Sequence, residues 1–437
     1  MKLNYFLTLI IGFLLLSCGN NEEKVKPNII LIMADDLGYG DLGCYGNTEI
    51  KTPYLDRLAK GGLRFTDFHS NGAVCSPTRA ALMTGLYQQR VGIEGVVYAT
   101  GKTRKTGLDL SHTTMAEIFK SAGYETGIMG KWHLGYDKKY NPVHQGFDEF
   151  KGYVSGNVDY QSHYDGSLVF DWYHNLDTVP ETGYSTDLIG SHSVKFLSKN
   201  RKKPFFLYIP HEAPHIPFQG RHDPAIRNPF REDPPNQLSE EEKRRAYKEM
   251  VEVMDENIGL LLLNLESMKL LENTIIFFLS DNGGYQNYAN HGPLNGRKGT
   301  LYEGGHRVPA IAYWRGKIKP GESNELLMSF DLLPTLSSIA NIDTDIPFDG
   351  IDFSSVLFGD KLDSKRDLFW RYRGQSAIRS GDMKLLMTKE DTLLFNLSTD
   401  LGEKKDLRST NPDMALSLLK KYQVWDDEMN QYELVTN

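Results

Sequence analysis

Two acidic pairs, one cysteine and a few cations carry the chemistry this sequence could perform. Asp35-Asp36 follows the apolar run Asn28–Ala34, and Asp281-Asn282 follows a second such run, Thr274–Ser280. Three carboxylates and an amide are hard oxygen ligands of the kind that hold Ca²⁺, with Mg²⁺ the second choice. Paired Asp after a strand also serves as a plain turn or helix cap, so either pair alone is ambiguous. Cys75 opens the run Cys75-Ser76-Pro77-Thr78-Arg79, which continues to Thr84-Gly85. A lone cysteine is most often a small buried hydrophobe. Here Pro77 suits the first turn of a helix, where a missing N–H costs nothing. Residues 78–84 can continue that helix and Gly85 can end it. Cys75 then sits at a helix N-terminus, where free N–H groups and the dipole favour an anion. Arg79, one turn later, can point back toward the same anion, completing an anion cradle.

Three more stretches sharpen this reading. Residues 123–135 end in Gly130-Lys131-Trp132-His133-Leu134-Gly135, and on extended backbone Lys131 and His133 face the same side. A third apolar run, residues 204–210, leads into His211 and then Ala213-Pro214-His215. Residues 296–309 contain Lys298, His306 and Arg307. Taken together with Cys-x-Pro-x-Arg, these resemble, in content and order, the motifs of the type I, formylglycine-dependent sulfatases of the alkaline phosphatase superfamily. The resemblance runs from about residue 27 to past residue 400. Met83 and Met129 depart from it without touching a reacting group.

The resemblance implies a mechanism. A formylglycine-generating maturation enzyme oxidises Cys75, and one hydroxyl of the hydrated aldehyde attacks sulfur. A divalent cation sits on Asp35, Asp36, Asp281 and Asn282 together with modified Cys75. That cation, Arg79, Lys131 and Lys298 neutralise the sulfuryl oxygens. Asp281 serves as base for the attacking hydroxyl. His215, with Lys298, protonates the leaving oxygen, and His133 deprotonates the second hydroxyl of residue 75 so that sulfate departs. His211 is a weaker candidate for the acid role. His306 stays open with solvent exposure as its default, and Arg307 and Cys44 are read as structural. The implied substrate is a carbohydrate sulfate, with galactose and N-acetylgalactosamine sulfates the nearest likeness. Residues 152–172, rich in Tyr, Trp, Asp and His, supply Ser155, Asp159 and His163 as candidate sugar contacts. Two other readings stay open: a phosphate or phosphonate monoester hydrolase of the same superfamily, and a non-catalytic glycan-binding lipoprotein.

Composition bounds the rest. The chain has 437 residues, 11% aromatic and 24% charged, which suits a globular protein of one large and one small unit. A net charge of -8 gives no overall attraction to nucleic acid or to sulfated polymers, so any anion site is built locally. Residues 1–18 form a targeting segment with Lys2 as its charge and an apolar stretch over residues 6–16, short of the roughly 20 residues a membrane span needs. Leu15-Leu16-Ser17-Cys18 resembles a bacterial lipobox. Lipid on Cys18 and a tether over residues 19–26 would hold the protein at the bacterial envelope, in the periplasm or on the outer-membrane surface.

The elements that must position these groups are also visible. The three apolar runs read as strands buried on both faces, as in a parallel sheet whose carboxyl ends carry the ligand site. Ser239-Glu240-Glu241-Glu242 is a capping box opening a helix with an apolar stripe from Tyr247 to Leu265. Residues 52–60 and 113–121 read as further helices. The expected fold is α/β: a doubly wound, mostly parallel sheet with helices on both faces over residues 27–360. Residues 361–437 are expected to add a small antiparallel sheet, with strands over 376–379, 383–388 and 392–396, and a helix from residue 414. Residues 214–238 are expected as a loop near the site.

Overall fold

The computed structural model describes residues 25–199, 203–230, 238–362 and 365–436. The targeting segment, Cys18 and most of the tether lie outside them. Asn28–Ala34 and Thr274–Ser280 are strands buried at every position, and they run side by side in parallel. Phe205–Pro210 flanks Asn28–Ala34 on its other edge, also in parallel. The full sheet has ten strands in the order Gly321–Ser323, Leu63–Phe65, Ala310–Tyr313, Thr274–Ser280, Asn28–Ala34, Phe205–Pro210, Glu125–Lys131, Glu149–Tyr153, Tyr173–His174, Asp177–Thr178. The five strands from Thr274–Ser280 to Glu149–Tyr153 are parallel, and antiparallel pairings begin outside them.

Side chains alternate across a strand, so a continuous apolar run feeds two cores. Ile29, Leu31 and Met33 pack with the helices Cys75–Thr84, Met115–Ser121 and Leu332–Ile339. Ile30 and Ile32 pack with Pro53–Gly61, Ser185–Lys199 and Glu240–Ser267. The sheet is therefore doubly wound. The capping box at Ser239 forms, with Glu242 reaching back to the Ser239 N–H.

Four antiparallel strands, Asp367–Tyr372, Gln375–Ser380, Met383–Met387 and Thr392–Asn396, make the second sheet. The helix Pro412–Met429 covers it with Leu418, Tyr422 and Trp425. The leading strand was not expected, although Leu368, Trp370 and Tyr372 alternate inward along it. The seam between the two sheets is a buried charge network. Lys384 Nζ lies 2.9 Å from Glu303 Oε1 and 2.8 Å from Glu403 Oε1. Arg379 bonds Asp67 at 2.7 Å, and Arg307 reaches both Asp67 and Glu303 at 3.2 Å. His306, expected at the surface, is fully buried there with its Nδ1 3.0 Å from Nδ1 of His69. Arg307 is structural, as its ion pairs require.

Candidate active site

Ala34 lies opposite Ser280 in the sheet register, so Asp35 and Asp281 leave it side by side. The Asp281 N–H donates to the Ala34 carbonyl at 3.1 Å, and the Asp36 N–H donates to Asp281 Oδ1 at 3.2 Å. Asn282 Nδ2 donates to Asp36 Oδ1 and to the Gly283 carbonyl, both at 2.8 Å. Its Oδ1 is buried and has no partner. Cys75 opens its helix after Val74, which supplies no side-chain cap, so the first N–H groups stay free for an anion. The helix ends at Gly85, whose φ of 70° is the left-handed cap that glycine adopts freely. Cys75 Sγ lies 3.4 Å from Asp35 Oδ1 and 3.5 Å from Lys298 Nζ.

Each carboxylate has its own cation. Lys131 Nζ bonds Asp35 Oδ2 at 2.5 Å. Lys298 Nζ lies 2.6 Å from Asp36 Oδ1. Arg79 bonds Asp281 Oδ2 through Nη2 at 2.7 Å and Nε at 3.2 Å, and donates to the Lys131 carbonyl. A cleft of about 550 Å³ opens above this cluster, lined by Cys75, His133, Ser155, His215 and Lys298 among others. The ends of the strands Asn28–Ala34, Thr274–Ser280 and Glu125–Lys131 and one helix N-terminus thus meet in one charged cluster. The sulfatase family model matches residues 27–342. The chain belongs to the sulfatase family. It is 33% identical to human arylsulfatase A, over 87% of this chain and 83% of that one. It is equally 33% identical to human N-acetylgalactosamine-6-sulfatase, over 82% of this chain and 71% of that one. Among solved structures, Ps i-CgsB in complex with k-i-k-neocarrahexaose superposes with a TM-score of 0.83 at 31% identity, over 92% of both chains. As a sulfatase, the chain is a sulfuric ester hydrolase.

The electrostatics of this sulfatase site follow from burial. Burial would raise the Asp36 carboxyl, but Lys298 and His215 beside it hold it at about 2. Burial and the neighbouring Asp35 charge push Asp281 up to about 6, against the pull of Arg79. Burial, with Asp35 next to it, pushes the Cys75 thiol up to about 12, so unmodified Cys75 stays a thiol at neutral pH. Three carboxylates meet three cations in the cluster. A divalent cation fits here: carboxylate oxygens of Asp35 and Asp36 converge with Cys75 Sγ and a His215 nitrogen, and the buried Asn282 Oδ1 beside Asp36 is an acceptor without a donor, whereas Asp281 stands outside that set with its Oδ2 held by Arg79. The added charge would make the cluster net positive, which favours an anionic ester.

The cations are not all at the cleft surface. Of the three expected around the anion, only Lys298 lines the cleft. Arg79 and Lys131 are buried behind the carboxylates, so the structure corrects the expectation that Arg79 points straight at the anion. The two histidines also differ from expectation. The strand stops at Lys131 and His133 has a left-handed φ of 59°, so simple extended alternation does not bring the pair together. His133 Nε2 donates to the Val97 carbonyl at 2.9 Å, which leaves Nδ1 bare, buried and unpartnered. His215 Nδ1 donates to the Ile216 carbonyl at 2.8 Å. Its bare Nε2 faces Asp36 Oδ2 at 3.6 Å, and burial lowers the ring to about 3. At rest His215 is therefore a proton acceptor, and Lys298, which burial would lower but Asp36 raises well above its ordinary value, keeps its proton in the same cleft. His211 is buried outside the cleft lining, and burial lowers it to about 4.

Among the candidate sugar contacts, Ser155 lines the cleft. Asp159 does not. Its carboxylate accepts four backbone N–H groups, from Gln161, Ser162, Ile226 and Arg227, and ties two loops together. His163 is buried, stacked on Trp172 at 4.4 Å, with Nε2 donating to the Gly183 carbonyl. Both are scaffold rather than contact, because polar side chains buried in a loop must first satisfy that loop's backbone. The sequence reading missed cleft residues from distant segments, including Tyr98, Tyr136, Arg373 and Gln375. Only the Arg373-Gly374 turn signal could have pointed to the third of these.

Proposed function

We propose that this sulfatase removes sulfate from carbohydrates, using formylglycine made from Cys75 and Ca²⁺ held by Asp35, Asp36, Asp281 and Asn282. One observation carries the reading. Cys75 Sγ sits at a helix N-terminus within 3.5 Å of both an acidic and a cationic side chain, yet its thiol stays protonated at neutral pH. Such a thiol is a poor nucleophile, whereas an oxidised side chain in that position needs no thiolate. Formylglycine would supply a geminal diol, one hydroxyl to attack sulfur and one to let sulfate depart. The cation would supply positive charge facing the sulfuryl oxygens. Asp281, whose carboxylate is held by Arg79 and the Asp36 N–H beside the acidic pair, is the candidate base for the first hydroxyl. His133 offers a fixed tautomer whose bare Nδ1 can take the proton of the second. Lys298, 3.5 Å from Cys75 Sγ, would supply the proton for the leaving oxygen, with His215 Nε2 as its relay. Relatives named for sugar sulfates, and a similar structure bound to an oligosaccharide, support a saccharide substrate.

The test is intact mass with paired assays. Maturation lowers the mass by about 18 Da at Cys75. Co-expression with a formylglycine-generating enzyme should produce that loss, calcium by elemental analysis, and aryl sulfate turnover that Cys75→Ala abolishes. An unmodified active protein, or aryl phosphate cleaved in preference to aryl sulfate, would overturn the proposal. Residues 15–18 further support lipid attachment at Cys18 and an envelope location. Palmitate label surviving in Cys18→Ala would overturn that part.

A further inference from the structure

The cleft contains a second cationic group that chemistry at residue 75 does not require. The C-terminal sheet pushes the tip of its first hairpin into the cleft wall. Tyr372 pairs with Gln375, leaving Arg373-Gly374 as a two-residue loop. Both loop residues are left-handed, with φ of 49° and 77°. Such type I′ turns select Asn, Asp or Gly at the first position, and a long side chain there is uncommon. The turn itself therefore gives no reason for arginine. Arg373 is exposed and lines the same cleft as Cys75 and Lys298. Its Nη2 donates to the Tyr98 hydroxyl at 2.7 Å, and its guanidinium lies 5.2 Å from the Tyr372 ring centre. Both partners are neutral. Among the described residues no carboxylate pairs with it, whereas Arg371, two residues earlier, bonds Glu94 at 2.6 Å and Asp426 at 2.7 Å. In a chain of net charge -8, this is a local cation oriented by two aromatic side chains, with the rest of its fork free.

We propose that Arg373, oriented by Tyr98, is a second anion subsite that recognises a carboxylate or an additional sulfate on the saccharide carrying the scissile ester. The substrate class is then a saccharide with at least two anionic groups. The inference rests on the reading of the cleft as a sugar sulfate site. Lys298 and the cation site at its floor serve the reacting sulfate, and Arg373 at the hairpin tip serves the second anion. A planar fork suits either anion through paired N–H donors.

Three saccharides of matched length separate the sources: one with a single sulfate, one with two, and one with a single sulfate and a neighbouring uronate. Wild-type enzyme should prefer the dianionic substrates in kcat/KM. Arg373→Ala should cut that preference by about tenfold, as expected for one partly exposed charge-assisted contact. The loss should fall on KM with kcat little altered, because the contact is the same before and during reaction. Arg373→Lys should recover part of the preference, and Tyr98→Phe should lose part of it. Loss confined to the disulfated or to the uronate substrate identifies which anion is bound. Equal losses on all three substrates, or none, overturn the subsite. Aryl sulfate turnover by the same preparations checks the underlying reading separately. If no sulfate ester is cleaved, that reading fails. Calorimetric binding of the three saccharides to wild type and Arg373→Ala then decides the subsite alone, and equal affinities overturn it.

Discussion

Lys384→Met should unlock the seam between the two sheets. Lys384 is fully buried and stands between two carboxylates, Glu303 at 2.9 Å and Glu403 at 2.8 Å, both with buried side chains. Removing one partner of a buried pair typically costs about 3–5 kcal/mol, because a charge is left without compensation. Methionine matches the volume of lysine and relieves its desolvation, so the lower end, about 3 kcal/mol, is expected. Over a chain of this length that corresponds to a fall in Tm of about 3 °C. Burial acts to raise Glu303, but Lys384 and Arg379 hold it well below its ordinary value, and burial raises Glu403 even with Lys384 present. Without Lys384 both carboxyls move up. A depressed carboxyl contributes stability above its unfolded value of 4.5, and a raised one costs stability there. The variant forfeits the first effect and enlarges the second. Its deficit should therefore be largest near neutral pH and shrink as pH falls toward 4.5. Urea unfolding followed by circular dichroism at pH 7.5 and pH 5 reads both quantities. The same variant should raise KM for saccharides more than for aryl sulfate, since the hairpin carrying Tyr372 and Arg373 hangs from this sheet. A loss below about 1 kcal/mol at neutral pH, or a deficit unchanged by pH, would refute the reasoning.

On the proposed calcium site, Asp281→Ala should lose bound calcium and turnover together, because it removes one proposed oxygen ligand and frees Arg79 among the remaining carboxylates. Chelation of the wild type should mimic it, and a chelated, metal-free enzyme at full rate counts against the metal site. Gly156→Ala should lower kcat by at least about tenfold with little change in Tm. The added carbon would meet His133 Nε2 at 2.9 Å and turn the ring from the Val97 carbonyl. Wild-type kcat in that variant would mean that the His133 tautomer is immaterial.

Much of the site was legible before the fold. Asp35, Asp36, Asp281 and Asn282 could be found because each pair directly follows a continuous apolar run. A strand covered on both faces must deliver its next residues to the carboxyl edge of a parallel sheet. Cys75 was legible because Pro77 and Gly85 bracket a helix whose N-terminus it occupies. Asp159 and His163 misled because composition marks a polar loop without saying which side chains its own backbone consumes. The run of alternating residues from Leu368 to Tyr372 was passed over, and with it the hairpin that brings Arg373 to the cleft.

The sequence by itself determined the main elements, the strand ends that bear the acidic pairs, the cysteine at a helix start and the resemblance that names the chemistry. These depend on residues near one another in the chain, where periodicity and caps act. Only the tertiary structure decided which cation serves which carboxylate, which nitrogen of His133 and His215 is bare, and that His306 and Lys384 are buried. It alone showed that the Arg373-Gly374 turn lines the same cleft as residue 75. Those facts depend on contacts across hundreds of residues, such as Lys298 with Asp36 and Arg373 with Tyr98. A side chain's charge and tautomer are set by whatever the fold packs against it, and local pattern carries no record of that.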